Sequence, residues 1–325
     1  VGWTLTAAVA RLGALVGLGE RRPEDEPATT EHLFERAFAR AVDRASAADA
    51  KALEVARDQM GDHRDVLYRA VATGAPLSAV AALAAAWDGL DPEPRHAIAA
   101  PIPHRPGPVV WGRVEARQVD ETTCGAAVMG AMLMQGDPFM ALWVMTGRTL
   151  ADYLPPEALH VQAEGFETHS LDERWRALQR VLHARTTRSA VGPVPWPRSL
   201  GTPPWMVDDR TRFAGLRFEG SLVDDASPAA LAPLLAHARR ALGDGIPVPM
   251  FTSGDSRLGL STVMPRHVVL LVADTGDGFL VYEPSAGEVM PLADADLGPG
   301  GPRLPALGYW TRASWLVMPV PVRRG

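Results

Sequence analysis

Apolar and polar positions alternate with two different periods along this chain, helical in its front part and strand-like near its end. Between residues 30 and 89, Leu33, Phe34, Ala37, Phe38, Ala41 and Val42 recur at the three-to-four spacing of one buried helical face. Ser46 and Asp49 read as a fresh helix start, and Gly61 and Gly74 as stops, so two to four short helices are expected there. Residues 91–108 then bring Pro92, Pro94, Pro101, Pro103, Pro106 and Pro108. So many prolines cannot continue a helix, and a linker is placed there, dividing a helical N-terminal region (1–107) from a larger part (108–325).

Past the prolines, Val109, Val110 and Trp111 predict a short strand, and Thr122 and Thr123 are expected to cap a strongly helical run over 124–135 that Gly136 ends. Asp137 and Pro138 open a second helix. Ser170 and Glu173 form a capping-box pair ahead of Trp175, Leu178, Val181 and Leu182, an amphipathic helix with an Arg-rich outer face. Residues 189–204 read as loop, and another helix follows Ser227 as far as Leu242. From residue 245 the pattern shortens to strands at 246–252, 267–273, 279–282, 288–292 and about 315–318, with Gly276, Asp277 and Gly278 as a hairpin turn. Helices first and antiparallel strands later describe an α+β protein.

Composition narrows the partners. The formal net charge is −6 over 325 residues, Lys51 is the single lysine, and no run of basic residues forms a phosphate-tracking stripe, so nucleic acid is not an expected partner. Residues 1–19 are mildly apolar, but Arg11 interrupts them and they are too short to span a bilayer; an amphipathic helix is expected, with no stable membrane insertion and a cytoplasmic location by default. No Gly-rich phosphate loop, His-Glu-x-x-His pattern or paired-Cys spacing occurs, so no metal or other cofactor is implied. Gly254, Asp255 and Ser256 read as a turn rather than as a serine-hydrolase site.

One cysteine cannot make an internal disulfide, so Cys124 is a buried small hydrophobe, a surface thiol or a reactive group. Its neighbours favour the last. A thiol at the first turn of a helix sits where backbone N–H groups and the helix dipole stabilise a thiolate against the ordinary thiol pKa of about 8.5. Gly125 would let a carbonyl approach closely, and the Cys124 N–H and the Gln118 amide six residues earlier are candidate donors to the oxyanion. A thiolate also needs a partner that holds it ionised and returns a proton to the leaving group, a role suited to imidazole. Among nine histidines, His267 begins a very apolar strand, and Glu283 sixteen residues on is placed to orient it across a hairpin, with Asp274 and Asp277 as less well placed substitutes.

Gln118, then Cys124 with Gly125, Ala126 and Ala127 at a helix start, then His267 before an apolar strand and Glu283 before Pro284, resembles the papain-like cysteine peptidase superfamily, most closely its bacteriocin-processing, double-glycine leader peptidases. The match covers two blocks, residues 115–136 and 245–290. The resemblance implies a papain-like α+β domain with Cys124 as nucleophile, His267 as base, Gln118 in the oxyanion hole and Glu283 orienting the imidazole. It departs from that family in two respects: Glu283 stands where an Asp is usual, and the Cys-to-His segment is longer. The implied substrate is a peptide or protein, cleaved through a thioester; amidase or transglutaminase chemistry uses the same parts, and a non-catalytic interaction module on the same scaffold is the reading from a different class.

Overall fold

The computed structural model describes residues 32–188, 201–210, 212–224, 227–254, 265, 267–298 and 301–320. The helix expected over residues 1–19, most of the loop expected over 189–204, and Asp255 and Ser256 lie outside the described residues. Four short helices open the described chain: Leu33–Arg44, Ala47–Met60, Arg64–Ala72 and Leu77–Ala86. Ser46 caps the second by accepting from the Asp49 N–H, and Gly61 ends it.

Within the stretch read as a linker, Pro92–Ala99 is a helix instead. Pro92 and Pro94 fall in its first turn, where the missing N–H groups would have had no intrahelical partner, so proline is tolerated there. Its Ala97 and Ile98 are buried, and it packs on the helix Pro138–Thr146.

Among the described residues nine strands follow: β1 (Gly107–Pro108), β2 (Val110–Trp111), β3 (Val114–Glu115), β4 (Arg217–Leu222), β5 (Val248–Ser253), β6 (His267–Asp274), β7 (Gly278–Glu283), β8 (Glu288–Ala293) and β9 (Arg312–Val320). Seven form one sheet in the order β1-β8-β7-β6-β5-β9-β4, every pairing antiparallel, while β2 and β3 make a separate hairpin. The chain is therefore an α+β protein, a helical region followed by a seven-stranded antiparallel sheet with helices. Strand β4 has no counterpart in the sequence reading: Arg217, Glu219 and Gly220 break its apolar pattern, as an edge strand bonded only to β9 allows.

Strands β5 and β7 are buried at consecutive positions, so both faces of the sheet centre are covered. One cover is the helix Cys124–Gly136, buried at every residue and packed on β6. A helix apolar on all sides belongs in a core. Among the described residues no single helix is long and apolar enough to cross a membrane. The helix Leu171–Thr187, opened by the expected Ser170–Glu173 capping box, packs on the Cys124 helix where Gly130 faces the Trp175 ring. Arg174 on this helix is buried, donating to the carbonyls of Val144, Met145 and Thr168.

The β6–β7 hairpin carries one irregularity that sets the site. Near its tip Asp274 pairs with Phe279 and Ala273 with Leu280, but beyond a bulge at Val272 the pairs are Leu271 with Val281 and Leu270 with Tyr282. Continuing that register puts Glu283 opposite Val269, on the face that His267 shares two residues earlier. Without the extra residue Glu283 would oppose Leu270 and face the other way.

A side chain at Gly130 would come within 2.8 Å of the Trp175 ring. Gly130→Ala is expected to lower unfolding stability by about 1–3 kcal/mol from overpacking, exceeding the helix-propensity gain of about 1 kcal/mol, as read by urea denaturation.

Candidate active site

Cys124 is the first residue of its helix, but the two threonines before it do not cap as expected. The Asp120 carboxylate accepts from the Thr122 N–H at 2.8 Å and from its hydroxyl at 2.7 Å, while the Thr123 hydroxyl accepts from the Asp120 N–H at 2.9 Å and donates to the Asp120 carbonyl at 3.0 Å. Both hydroxyls are turned back into the Asp120 turn, which outcompetes the cap because its partners are local. The helix start therefore lacks a side-chain cap, and the backbone N–H groups of Gly125 and of Val268 from β6 both help to lower the Cys124 thiol.

The imidazole of His267 is the side chain that acts most strongly on the same sulfur, lowering its thiol against the cost of burial. Its Nε2–H donates to Glu283 Oε1 at 2.5 Å, which leaves Nδ1 as the ring nitrogen for Cys124. Glu283 is itself held: Oε1 accepts from the Ser285 N–H at 3.1 Å and Oε2 from the Ala286 N–H at 2.6 Å. Glu283 thus reaches His267 while its carboxylate turns back onto the amides that follow it. Asp274 and Asp277 do not reach the site; the first pairs with Arg239 and the second with the Thr275 hydroxyl at the hairpin tip.

All three groups are buried, with exposures of 2% for Cys124, 7% for His267 and 3% for Glu283. Burial opposes charge on each, and their mutual contacts outweigh it. For Cys124, desolvation pushes the thiol up, but the hydrogen bond and charge of His267 and the two backbone N–H groups bring it below its ordinary value. His267 loses basicity to burial and gains more from Cys124 and then Glu283, ending at about 9. Desolvation would raise the Glu283 carboxyl, yet His267 and the Ala286 and Ser285 amides hold it below the usual range. All three shifts act in the direction of a thiolate–imidazolium pair backed by a carboxylate.

Gln118 lies at the edge of this site. Its N–H donates to the Pro284 carbonyl at 2.9 Å and its Oε1 accepts from the Ser285 hydroxyl at 3.0 Å, so it is tied to the loop that follows Glu283. Its Nε2 donates to the Asp120 carbonyl at 2.8 Å, which directs at least one amide proton away from the helix start. The segment before it is fixed by the Leu171–Thr187 helix, whose Trp175 and Gln179 donate to the Arg117 carbonyl at 2.9 and 3.0 Å, and by the Tyr282 hydroxyl on the Ala116 carbonyl.

Two residues at the site carried no sequence signal. Gly308, at φ 64°, lies flat against the imidazole: a side chain there would meet His267 Cδ2 at 2.3 Å and Nε2 at 2.7 Å. Thr202 lies against Gly125, its hydroxyl 2.6 Å from where a side chain on that glycine would begin. Both belong to loops whose approach to the site is set by tertiary packing. Comparison with known protein families, curated proteins and solved structures finds no match for this chain, so the geometry and the residues stand as the basis for any functional reading.

Gly308→Ala must displace the ring, and a misplacement of about 1 Å costs on the order of 10²-fold in a reaction needing alignment. The rate of Cys124 alkylation by iodoacetamide at pH 7 is expected to fall by roughly that factor. In Glu283→Gln the amide still accepts from Nε2–H but brings no charge, so His267 is expected to release its proton below its present value of about 9. Two-bond 1H–15N NMR of the imidazole during a pH titration reads the change; an unmoved midpoint contradicts the assigned role of the carboxylate.

Proposed function

We propose that this chain is a papain-like cysteine hydrolase that cleaves a peptide or isopeptide bond through a thioester on Cys124. What supports the reading most is the buried His267–Glu283 bond beside Cys124, with the imidazole and the thiol each shifting the other toward its charged form. The thiolate attacks the carbonyl carbon; an S–C bond forms and the carbonyl π pair moves onto oxygen. As that pair returns, the C–N bond breaks and His267 gives its Nδ1 proton to the leaving nitrogen. Water then loses a proton to the neutral imidazole and attacks the thioester, releasing the acid and restoring the thiolate–imidazolium pair. Glu283 keeps the ring oriented and balances its charge throughout. An amidase uses the same steps, and a transglutaminase replaces water with an amine.

A non-catalytic scaffold is the competing reading, favoured by the near-complete burial of the sulfur. Reaction with an epoxysuccinyl compound separates the two. For the hydrolase, labelling outpaces a model thiol at pH 7 and drops to the model rate or below in His267→Ala; labelling no faster than a model thiol and indifferent to His267 defeats it.

The pH profile follows from the two shifted groups. Below its ordinary range the Cys124 thiol has already ionised, so activity rises with pH earlier than for a free thiol, and it falls as His267 loses the proton it must donate, near pH 9. Hydrolysis of a cleavable peptide amide is expected to trace that bell, and His267→Ala to move the rise of thiol alkylation upward toward the free-thiol range.

A further inference from the structure

Thr202 is only 6% exposed, and its hydroxyl oxygen is fully buried with no hydrogen-bond partner among the described residues. A buried hydroxyl left unpaired costs about 1–3 kcal/mol, and threonine can rotate its proton toward any acceptor within reach. The hydroxyl lies beside the first turn of the Cys124 helix, packed on Gly125 so closely that no other residue type fits at position 125 without displacing it. Gly201 just before it lies against the Thr122 carbonyl, which keeps this stretch on the helix start. The Gln118 amide, meanwhile, spends one of its two protons on the Asp120 carbonyl.

Building on the cysteine-hydrolase reading, we infer that Thr202 is a further catalytic residue: its hydroxyl donates a hydrogen bond to the oxyanion that forms when Cys124 attacks a carbonyl. The orphaned hydroxyl then acquires its acceptor only when negative charge develops on the substrate oxygen. That is the condition for a group that lowers the barrier rather than merely tightening binding. Val presents nearly the same shape without the proton, so its substitution for Thr202 removes the hydroxyl while keeping the packing.

Two small electrophiles separate this role from a structural one. With p-nitrophenyl acetate, Cys124 forms an S–C bond at the acyl carbon, the oxygen carries the displaced pair, and p-nitrophenolate leaves with the C–O bonding electrons. Iodoacetamide is attacked at its CH2 carbon and loses iodide, with no oxyanion at any stage. The readout is the ratio of the two rates, from the p-nitrophenolate burst and from alkylation of the same thiol in the full chain. Thr202→Val is expected to lower that ratio by about tenfold or more, toward the order of 10² of a preorganised oxyanion donor, and Thr202→Ser to restore most of it. A Thr202→Val ratio within twofold of the unsubstituted chain overturns the inference while leaving the hydrolase reading intact, as does a Thr202→Ser loss equal to that of Thr202→Val. Acylation and alkylation that both proceed at the model-thiol rate and ignore His267→Ala overturn both.

Discussion

Everything at the site depends on the bond from His267 Nε2 to the Glu283 carboxylate. A buried imidazole by itself would stay neutral, and a neutral ring beside a buried thiol would leave the sulfur protonated. The sulfur and then the carboxylate reverse this: both favour protonation of the ring inside the core, and the carboxylate also fixes which nitrogen is left for the sulfur. Its own ionisation is favoured first by His267 and then by the Ala286 and Ser285 amides, so backbone dipoles of a tight turn join the ring in supporting the charge. Removing one member of such a buried set leaves an uncompensated charge, typically a loss of about 3–5 kcal/mol.

The scaffold turns this bond into a site by holding three pieces of chain in fixed relation. The Cys124 helix is clamped between strand β6 and the Leu171–Thr187 helix, with Gly130 letting the Trp175 ring come close. The same indole, through its N–H on Arg117, holds the segment leading to Gln118. Helix packing and the geometry of the candidate site are thus not separate matters here, since one aromatic ring takes part in both. Gly308 closes the arrangement from the far side of the imidazole, limiting the ring to one position.

Much of the site was legible because its parts are local signals. Cys124 at a helix start, His267 at the head of an apolar strand and Glu283 before Pro284 could each be placed on an element from spacing alone, and the antiparallel hairpin then brings the last two together. The α+β class followed from the same change of period. What the sequence hid is tertiary in origin. The threonines beside Cys124 carry cap chemistry, but Asp120 offers them nearer partners. Pro92 and Pro94 look like breaks until their first-turn positions are known. Arg174 carries no sign in the sequence that the open carbonyls at the end of a neighbouring helix take its guanidinium into the core. Gly308 and Thr202 announce nothing, because what they touch lies far away along the chain.

The extra residue at Val272 leaves the two ends of one hairpin in opposite phase. Lengthening or trimming the Gly276–Gly278 tip by two residues preserves which way each side chain points, whereas a change of one must be absorbed by the bulge or it turns the carboxylate away from the ring. Odd and even indels in this hairpin are therefore different kinds of event. A pairwise change alters a surface loop, and a single one puts the chemistry at stake.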